Sequence, residues 1–293
     1  MSAAQRYRGR FAPSPSGPLH FGSLIAALAS YLDARAAGGA WLVRIEDIDP
    51  PREQAGASDA ILRSLEAHGL TWDEPVLYQS TRGSAYDAAL KKLDADGHLF
   101  PCVCTRATLG PGGNCGRRCA PKPAEPCALR VNLPDSPMFQ DVYLGRQVVK
   151  EGPGDLVLKR KDGLFAYNLA VVVDDADQGI TRIVRGRDLL EQTPAQNCLH
   201  QLLGQIPPEV GHIPLAVGAD GGKLSKQNKA APLDDDRAPD NLQLALRFLG
   251  QRAVDAAAVN VDAILESAID QWNPRRFVQV KQKMLVYQDS PAS

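Results

Sequence analysis

Between residues 10 and 23 the chain reads Arg10-Phe11-Ala12-Pro13-Ser14-Pro15-Ser16-Gly17-Pro18-Leu19-His20-Phe21-Gly22-Ser23, a strand that passes through a stiffened loop into a helix. The β-prone opening runs from Tyr7 to Ala12. Prolines then restrict the loop, and Gly17 lets it turn. Leu24, Leu28, Leu32 and Arg35 follow at turn-length spacing, which predicts a helix. His20 and Gly22 therefore stand at a helix mouth, where unpaired backbone N–H groups and the positive dipole end suit a nucleotide phosphate. A histidine there can donate to an oxygen that gains charge during displacement at phosphorus.

Outward from this stretch, Trp41 to Ile48 reads as a second buried strand that delivers Glu46 and Asp47 near its end. Helical patterns span Ser58 to His68 and Ser84 to Asp96. Strand, helix, strand, helix is the rhythm of an α/β fold with a parallel sheet, whose ligands bind beyond the carboxyl ends of the strands. From Phe100 to Leu164 the helical rhythm gives way to cysteines, Gly-Pro pairs and short strand-like pieces at Ala128 to Leu133 and Asp155 to Lys161. The apolar run Leu169 to Val173, bounded by Asp174-Asp175, is expected to resume the sheet as a strand opened by Tyr167. A further strand is expected at Ile180 to Val184, followed by Arg185. Thr193-Pro194 reads as the cap and first turn of a helix that ends near Gly204. A polar linker, 228–240, leads to a helical tail ending in Arg275-Arg276 and Lys281-Gln282-Lys283. The expected organisation is a catalytic half at 1–99, an inserted module at 100–164, a second catalytic half at 165–230, and a linker with a short helical region at 231–293.

At 293 residues and 44 % hydrophobic, the chain can bury a sizeable core. Its 33 Lys+Arg and 34 Asp+Glu leave a formal charge of −1, so any RNA contact has to come from a local patch. No apolar run approaches the roughly 20 residues needed to cross a bilayer, and no signal-peptide core opens the chain. A cytoplasmic protein with no membrane partner is expected, and a monomer. Its six cysteines are then thiols or metal ligands in preference to disulfides.

Four of these thiols cluster, as Cys102-Val103-Cys104 and Cys115-Gly116-Arg117-Arg118-Cys119. Paired thiols with a Gly-rich connector have the pattern of a tetrahedral zinc knuckle, here with Cys102, Cys104, Cys115 and Cys119 as ligands. Reduced, unliganded cysteines are the other reading, and His98 and Cys127 lie outside the paired arrangement. Four protein ligands close the coordination sphere, so one structural zinc per chain is expected.

The partner of the His20 loop is Gly221-Gly222-Lys223-Leu224-Ser225-Lys226-Gln227, two lysines three apart after flexible glycines, suited to a mobile clamp on pyrophosphate. Together, and in this order, the two segments resemble the HIGH and KMSKS signatures of class I aminoacyl-tRNA synthetases. Arg10 to Pro15, Arg44-Ile45-Glu46-Asp47 and Val184-Arg185-Gly186 resemble the glutamyl branch of that class. The cysteine pattern is similar to that of its short paralogues, which glutamylate queuosine in tRNA(Asp). Their zinc motif has Cys-x-Cys followed by Tyr-x3-Cys, and Cys115 stands where that tyrosine is often found. Gln227 replaces the serine that usually ends the second signature.

From residue type alone, Arg10 is a fork donor for a carboxylate and Glu46 an acceptor for an ammonium, while surface ion pairs and a packed ring at Tyr167 explain the same residues without a substrate. The resemblance implies that Arg10, Ala12, Ser14, Glu46, Tyr167 and Arg185 bind L-glutamate. It also implies that His20, Gly22, Lys223 and Lys226 bind ATP with its Mg²⁺, with His20 and Lys226 catalytic. Arg44 and Asp47 are assigned to bracing the sheet. Asn228 to Ser293 is shorter than the anticodon-reading region of a full glutamyl-tRNA synthetase, so tRNA(Asp) carrying queuosine is the implied acceptor. A truncated glutamyl-tRNA synthetase charging a tRNA 3′ end, a nucleotidylyltransferase, and a non-catalytic zinc RNA-binding protein stay open at this point.

Overall fold

The computed structural model describes residues 6–105, 107–110, 113–116, 119–122, 125–134, 136–150, 154–216, 231–252 and 260–278. Strand β1 (Arg8–Phe11) leads through the proline loop to helix α1 (Phe21–Ala36). Gly17 takes φ +137° in that loop, a conformation that favours glycine. Strand β2 (Ala40–Ile45) follows, parallel to β1 in the register Arg8 to Ala40 through Phe11 to Val43. Its return past Tyr7 is tight. A Cβ on Gly39 would lie 2.6 Å from the Tyr7 carbonyl oxygen. Helix α2 (Ala57–Ala67) crosses to the short strand β3 (Leu77–Tyr78), which pairs parallel with the end of β2, and helix α3 (Gly83–Ala95) follows.

A three-stranded antiparallel sheet is built from β4 (Leu99–Cys102), β5 (Ala128–Asn132) and β8 (Asp155–Lys159), in the order β4-β5-β8. Between its strands the hairpin β6 (Met138–Asp141) and β7 (Gly145–Val148) leaves to join the other half of the parallel sheet. That half contains β9 (Arg182–Gly186) and β10 (Glu209–Ile213), parallel over their whole length and linked by helix α5 (Thr193–Leu202). β6 pairs parallel with β10 at Asp141 and Val210. β1 and β9 meet where the Thr181 amide donates to the Arg8 carbonyl (3.0 Å) and the Arg8 amide to Thr181 Oγ1 (2.9 Å). The connections run outward in opposite directions from this junction, so the crevice beyond the ends of β1 and β9 is a topological switch point.

Helix α1 closes one face of the sheet. Its Leu24, Leu28 and Leu32 are fully buried, each contributing about 1.5–3 kcal/mol relative to exposure. They pack with Trp41 and Val43 of β2, with Leu242 and Leu246 of helix α6 (Ala238–Phe248), and with Ile264 and Leu265 of helix α7 (Val261–Asp270). The indole N–H of Trp41 is satisfied by Ser30 Oγ at 2.9 Å. The last described helix, α8 (Arg275–Val278), is a single turn.

Two local expectations give way. Tyr167 to Val173 forms the start of helix α4 (Tyr167–Asp177), not a strand. Every residue from Leu169 to Asp175 is buried, because α4 is enclosed by Tyr86, Leu90 and Leu93 of α3, Leu158 of β8 and Leu199 of α5. A helix covered on all sides has no polar stripe, and a short apolar run then cannot be told from a buried strand by periodicity. Thr193 is the first helical residue of α5, not its cap, which is Gln192. The Thr193 hydroxyl is instead taken by Arg185.

Candidate active site

A cleft of about 400 Å³ opens at the switch point. Arg10 reaches it from β1, Ala12 and Ser14 from the loop, and His20 and Gly22 from the start of α1. Glu46 enters from just past β2, Tyr167 from the first residue of α4, and Arg185 from β9. Eight residues singled out in the sequence thus converge, from six segments, on a space suited to a small ligand. Lys223 and Lys226 lie outside the described residues. The chain on either side of them is anchored here. Ala216 lines the cleft, Pro232 bridges to His20, and the Leu233 amide donates to the Leu19 carbonyl at 2.9 Å.

His20 caps α1, its Nδ1 accepting the Ser23 N–H at 3.1 Å. That places the proton of the neutral ring on Nε2, 3.2 Å from Ser23 Oγ. Arg10 pairs with Asp175 of α4, which also accepts from Arg44 Nη2 at 2.6 Å. Burial alone would raise the Asp175 carboxyl, but the two guanidiniums hold it well below the usual carboxylate range. Arg44 is fully buried and also donates to Gln178 Oε1 at 2.9 Å, while Asp47 accepts from the amide and hydroxyl of Ser80, so both brace the fold. Glu46 behaves differently. Burial pushes its carboxyl up to about 7 against the pull of Arg44 and Arg10, since both arginines already serve Asp175.

Among the described residues, Arg185 has only neutral partners. Nη1 donates to Gln196 Oε1 (2.7 Å), Nη2 to Thr193 Oγ1 (2.8 Å) and the Leu189 carbonyl (3.4 Å), and Nε to His212 Nε2 (3.2 Å). Among the described residues no carboxylate lies within ion-pair distance of it. Burial accordingly presses its pKa downward, as it presses that of Tyr167 upward, where the Glu46 charge adds to the effect. The sequence pointed to no role at the cleft for Asp175, Thr193, Gln196 or His212. The only signal was Asp174-Asp175 closing an apolar run, since a charged pair there must find buried partners.

At the other end of the antiparallel sheet, the Sγ atoms of Cys102, Cys104, Cys115 and Cys119 lie within 4.8 Å of one another. Cys115 Sγ is 3.6 Å from Cys104 Sγ and 3.3 Å from Cys119 Sγ. These separations exceed a disulfide bond and approach the roughly 3.8 Å between thiolates about 2.3 Å from a tetrahedral Zn²⁺. Asp155 of β8 supports the knuckle, its Oδ2 accepting the amides of Cys115 (2.6 Å) and Gly116 (2.7 Å). The donor set fits zinc. Cys198 lies apart in the core beside α4.

A parallel sheet with its ligand crevice at the switch point is the arrangement of a nucleotide-binding α/β domain. The family model of class I tRNA synthetases for glutamate and glutamine, catalytic domain, matches residues 6–111 and 118–262. The glutamyl-Q tRNA(Asp) synthetase of Xanthomonas campestris pv. campestris strain 8004 is 51 % identical over 279 residues, covering 94 % of both chains. That of Cupriavidus metallidurans is 50 % identical over 292 residues, covering 93 % of both. Among solved structures, the glutamate-tRNA synthetase of Elizabethkingia anophelis superposes with a TM-score of 0.77 at 25 % identity, over 93 % of this chain and 66 % of that one. The chain belongs to the class I glutamyl- and glutaminyl-tRNA synthetase family and, within it, to the glutamyl-Q tRNA(Asp) synthetases.

Proposed function

We propose that this chain activates L-glutamate with ATP and transfers the glutamyl group to queuosine in the anticodon of tRNA(Asp), working as a monomer in the cytoplasm. The observation that carries the reading is Arg185, a buried guanidinium with no carboxylate partner among the described residues, in one cleft with the buried carboxylate of Glu46. Such a cleft complements an amino acid with an anionic group to neutralise Arg185 and an ammonium to pair with Glu46. Arg10 supplies a second cation, Tyr167 a hydroxyl, and the backbone around Ala12 and Ser14 the wall between them.

In the first step an oxygen of the glutamate α-carboxylate attacks the α-phosphorus of ATP, and the bond to the pyrophosphate oxygen breaks. His20 donates from Nε2 toward the phosphate oxygens, beside the start of α1 and Gly22. Lys226, with Lys223, neutralises the departing pyrophosphate, and Mg²⁺ accompanies the ATP. In the second step a hydroxyl of the queuosine cyclopentenediol attacks the activated carbonyl and AMP leaves. Zinc on the four cysteines would clamp the loop between β4 and β5 and take no part in either step.

ATP–pyrophosphate exchange over the twenty amino acids, without tRNA, tests the first half. Exchange with glutamate alone is expected, and none with any amino acid would overturn it. Transfer of labelled glutamate to tRNA(Asp) with queuosine, and not to the same tRNA with guanosine, tests the second. Charging of tRNA(Glu) at its 3′ end instead would show a truncated glutamyl-tRNA synthetase.

A further inference from the structure

Among the described residues, protein acceptors occupy four of the five N–H groups of Arg185, leaving one on Nη1 for the cleft. One of those acceptors is conditional. His212 Nε2 accepts from Arg185 Nε only if the ring is neutral and carries its proton on Nδ1. Nδ1 faces Asp141 Oδ2 at 2.5 Å, and both side chains are fully buried. Asp141 is itself held, its Oδ1 accepting the amides of Tyr143 (2.8 Å) and Leu144 (2.9 Å) in the β6–β7 turn, and its Oδ2 the His212 amide (3.2 Å). The parallel pairing of β6 with β10 sets Asp141 beside His212, and the Phe139 ring packs edge-on to the imidazole at 5.9 Å, which resists rotation of the ring. The hairpin thus reaches the cleft through a continuous chain, Asp141 to His212 to Arg185.

We propose that Asp141 and His212 are positioning residues for amino-acid binding: Asp141 fixes the Nδ1–H tautomer of His212, and that tautomer aims Arg185 into the cleft. The inference rests on the reading of Arg185 as a ligand of the glutamate substrate. Its particular consequence is that a change at Asp141 alters the Michaelis constant for glutamate without touching the substrate.

Asp141→Asn keeps the shape and an oxygen for the turn amides, but can present an N–H₂ to Nδ1. The ring proton then moves to Nε2, where it opposes the Arg185 N–H. In ATP–pyrophosphate exchange the KM for glutamate should rise about tenfold or more while the KM for ATP stays within about twofold. His212→Leu should do the same. His212→Gln, which can accept from Arg185 and donate to Asp141, should restore the glutamate KM to within about threefold of wild type. Nitrogen NMR of ring-labelled protein should find the His212 proton on Nδ1 in wild type and on Nε2 in Asp141→Asn. A wild-type proton on Nε2, or an unchanged glutamate KM in Asp141→Asn, overturns the proposal. If Asp141→Asn fails to fold, the His212 pair decides, and a Gln variant as impaired as the Leu variant overturns it. Arg185→Ala separates the two levels: an unchanged glutamate KM there removes the ligand reading itself, whereas a raised one beside a harmless Asp141→Asn removes only the relay.

Discussion

Asp175 holds Arg10 side-on, Nε to Oδ1 at 3.1 Å and Nη2 to Oδ2 at 3.4 Å, across 165 positions of sequence. One carboxylate on α4 thereby fixes a cleft guanidinium on β1 and, through Arg44, ties β2 to the same helix. Removing one member of a buried pair strands the others, so Asp175→Asn should cost about 3–5 kcal/mol of stability by urea denaturation. It should also lower the Glu46 pKa, because Arg10 and Arg44 would turn to the remaining carboxylate. A Glu46 titration unmoved by the substitution would show that the two carboxylates do not share these arginines.

Glu46 gives a pH dependence whose sign follows from its environment. Its pKa is raised from 4.5 to about 7, so the folded state holds the proton more tightly than the unfolded one. That contribution to stability is complete below pH 4.5 and is lost as pH rises to 7, a fall of about 3 kcal/mol across the window. Glu46→Gln should flatten this part of the profile, measured by urea denaturation at half-unit steps. Bound glutamate should reverse the shift, since its ammonium stabilises the carboxylate, and binding in this range should release a proton.

The parallel half of the fold was legible because its signals are local. Leu24, Leu28 and Leu32 repeat at the helical period, and the strand read at Trp41 to Ile48 is found as β2, ending at Ile45. The cysteine cluster was equally legible, because thiols at tight spacing have few alternative uses. Helix α4 was not, since total burial erased its periodicity. Nor were the buried partners behind the cleft. Asp175 meets Arg44 from 131 positions away and Asp141 meets His212 from 71, pairings that only the strand order creates. Thr193 looked like a helix cap because the same hydroxyl serves equally well as an acceptor for Arg185.

The four-cysteine cluster predicts about one zinc per chain in protein purified without chelators, measured by metal analysis. Cys119→Ser should lose most of that metal, and the loop between β4 and β5 should become more susceptible to protease. Glutamate-dependent exchange should fall less than the metal content, because no cysteine of the cluster lines the cleft. Full metal content in the variant would remove Cys119 from the ligand set.

Lys226 gives the sharpest test of the chemistry. The chain enters its segment from Ala216, which lines the cleft, and returns through Pro232, which bridges to His20, so both ends of the segment stand beside the helix start proposed to hold the phosphates. A lysine brought there neutralises charge that grows on pyrophosphate only as its bond to the α-phosphorus breaks. Such a group favours the transition state over bound substrates, and its loss lowers rate more than affinity. Lys226→Ala should therefore slow single-turnover formation of glutamyl-adenylate by about 10²–10³-fold. The glutamate dissociation constant, measured without ATP, should stay within about twofold, because the interaction is absent until pyrophosphate departs. Wild-type rates at saturating ATP would exclude Lys226 from the mechanism. A rate loss matched by an equal weakening of ATP binding would reassign it to ground-state binding of the nucleotide.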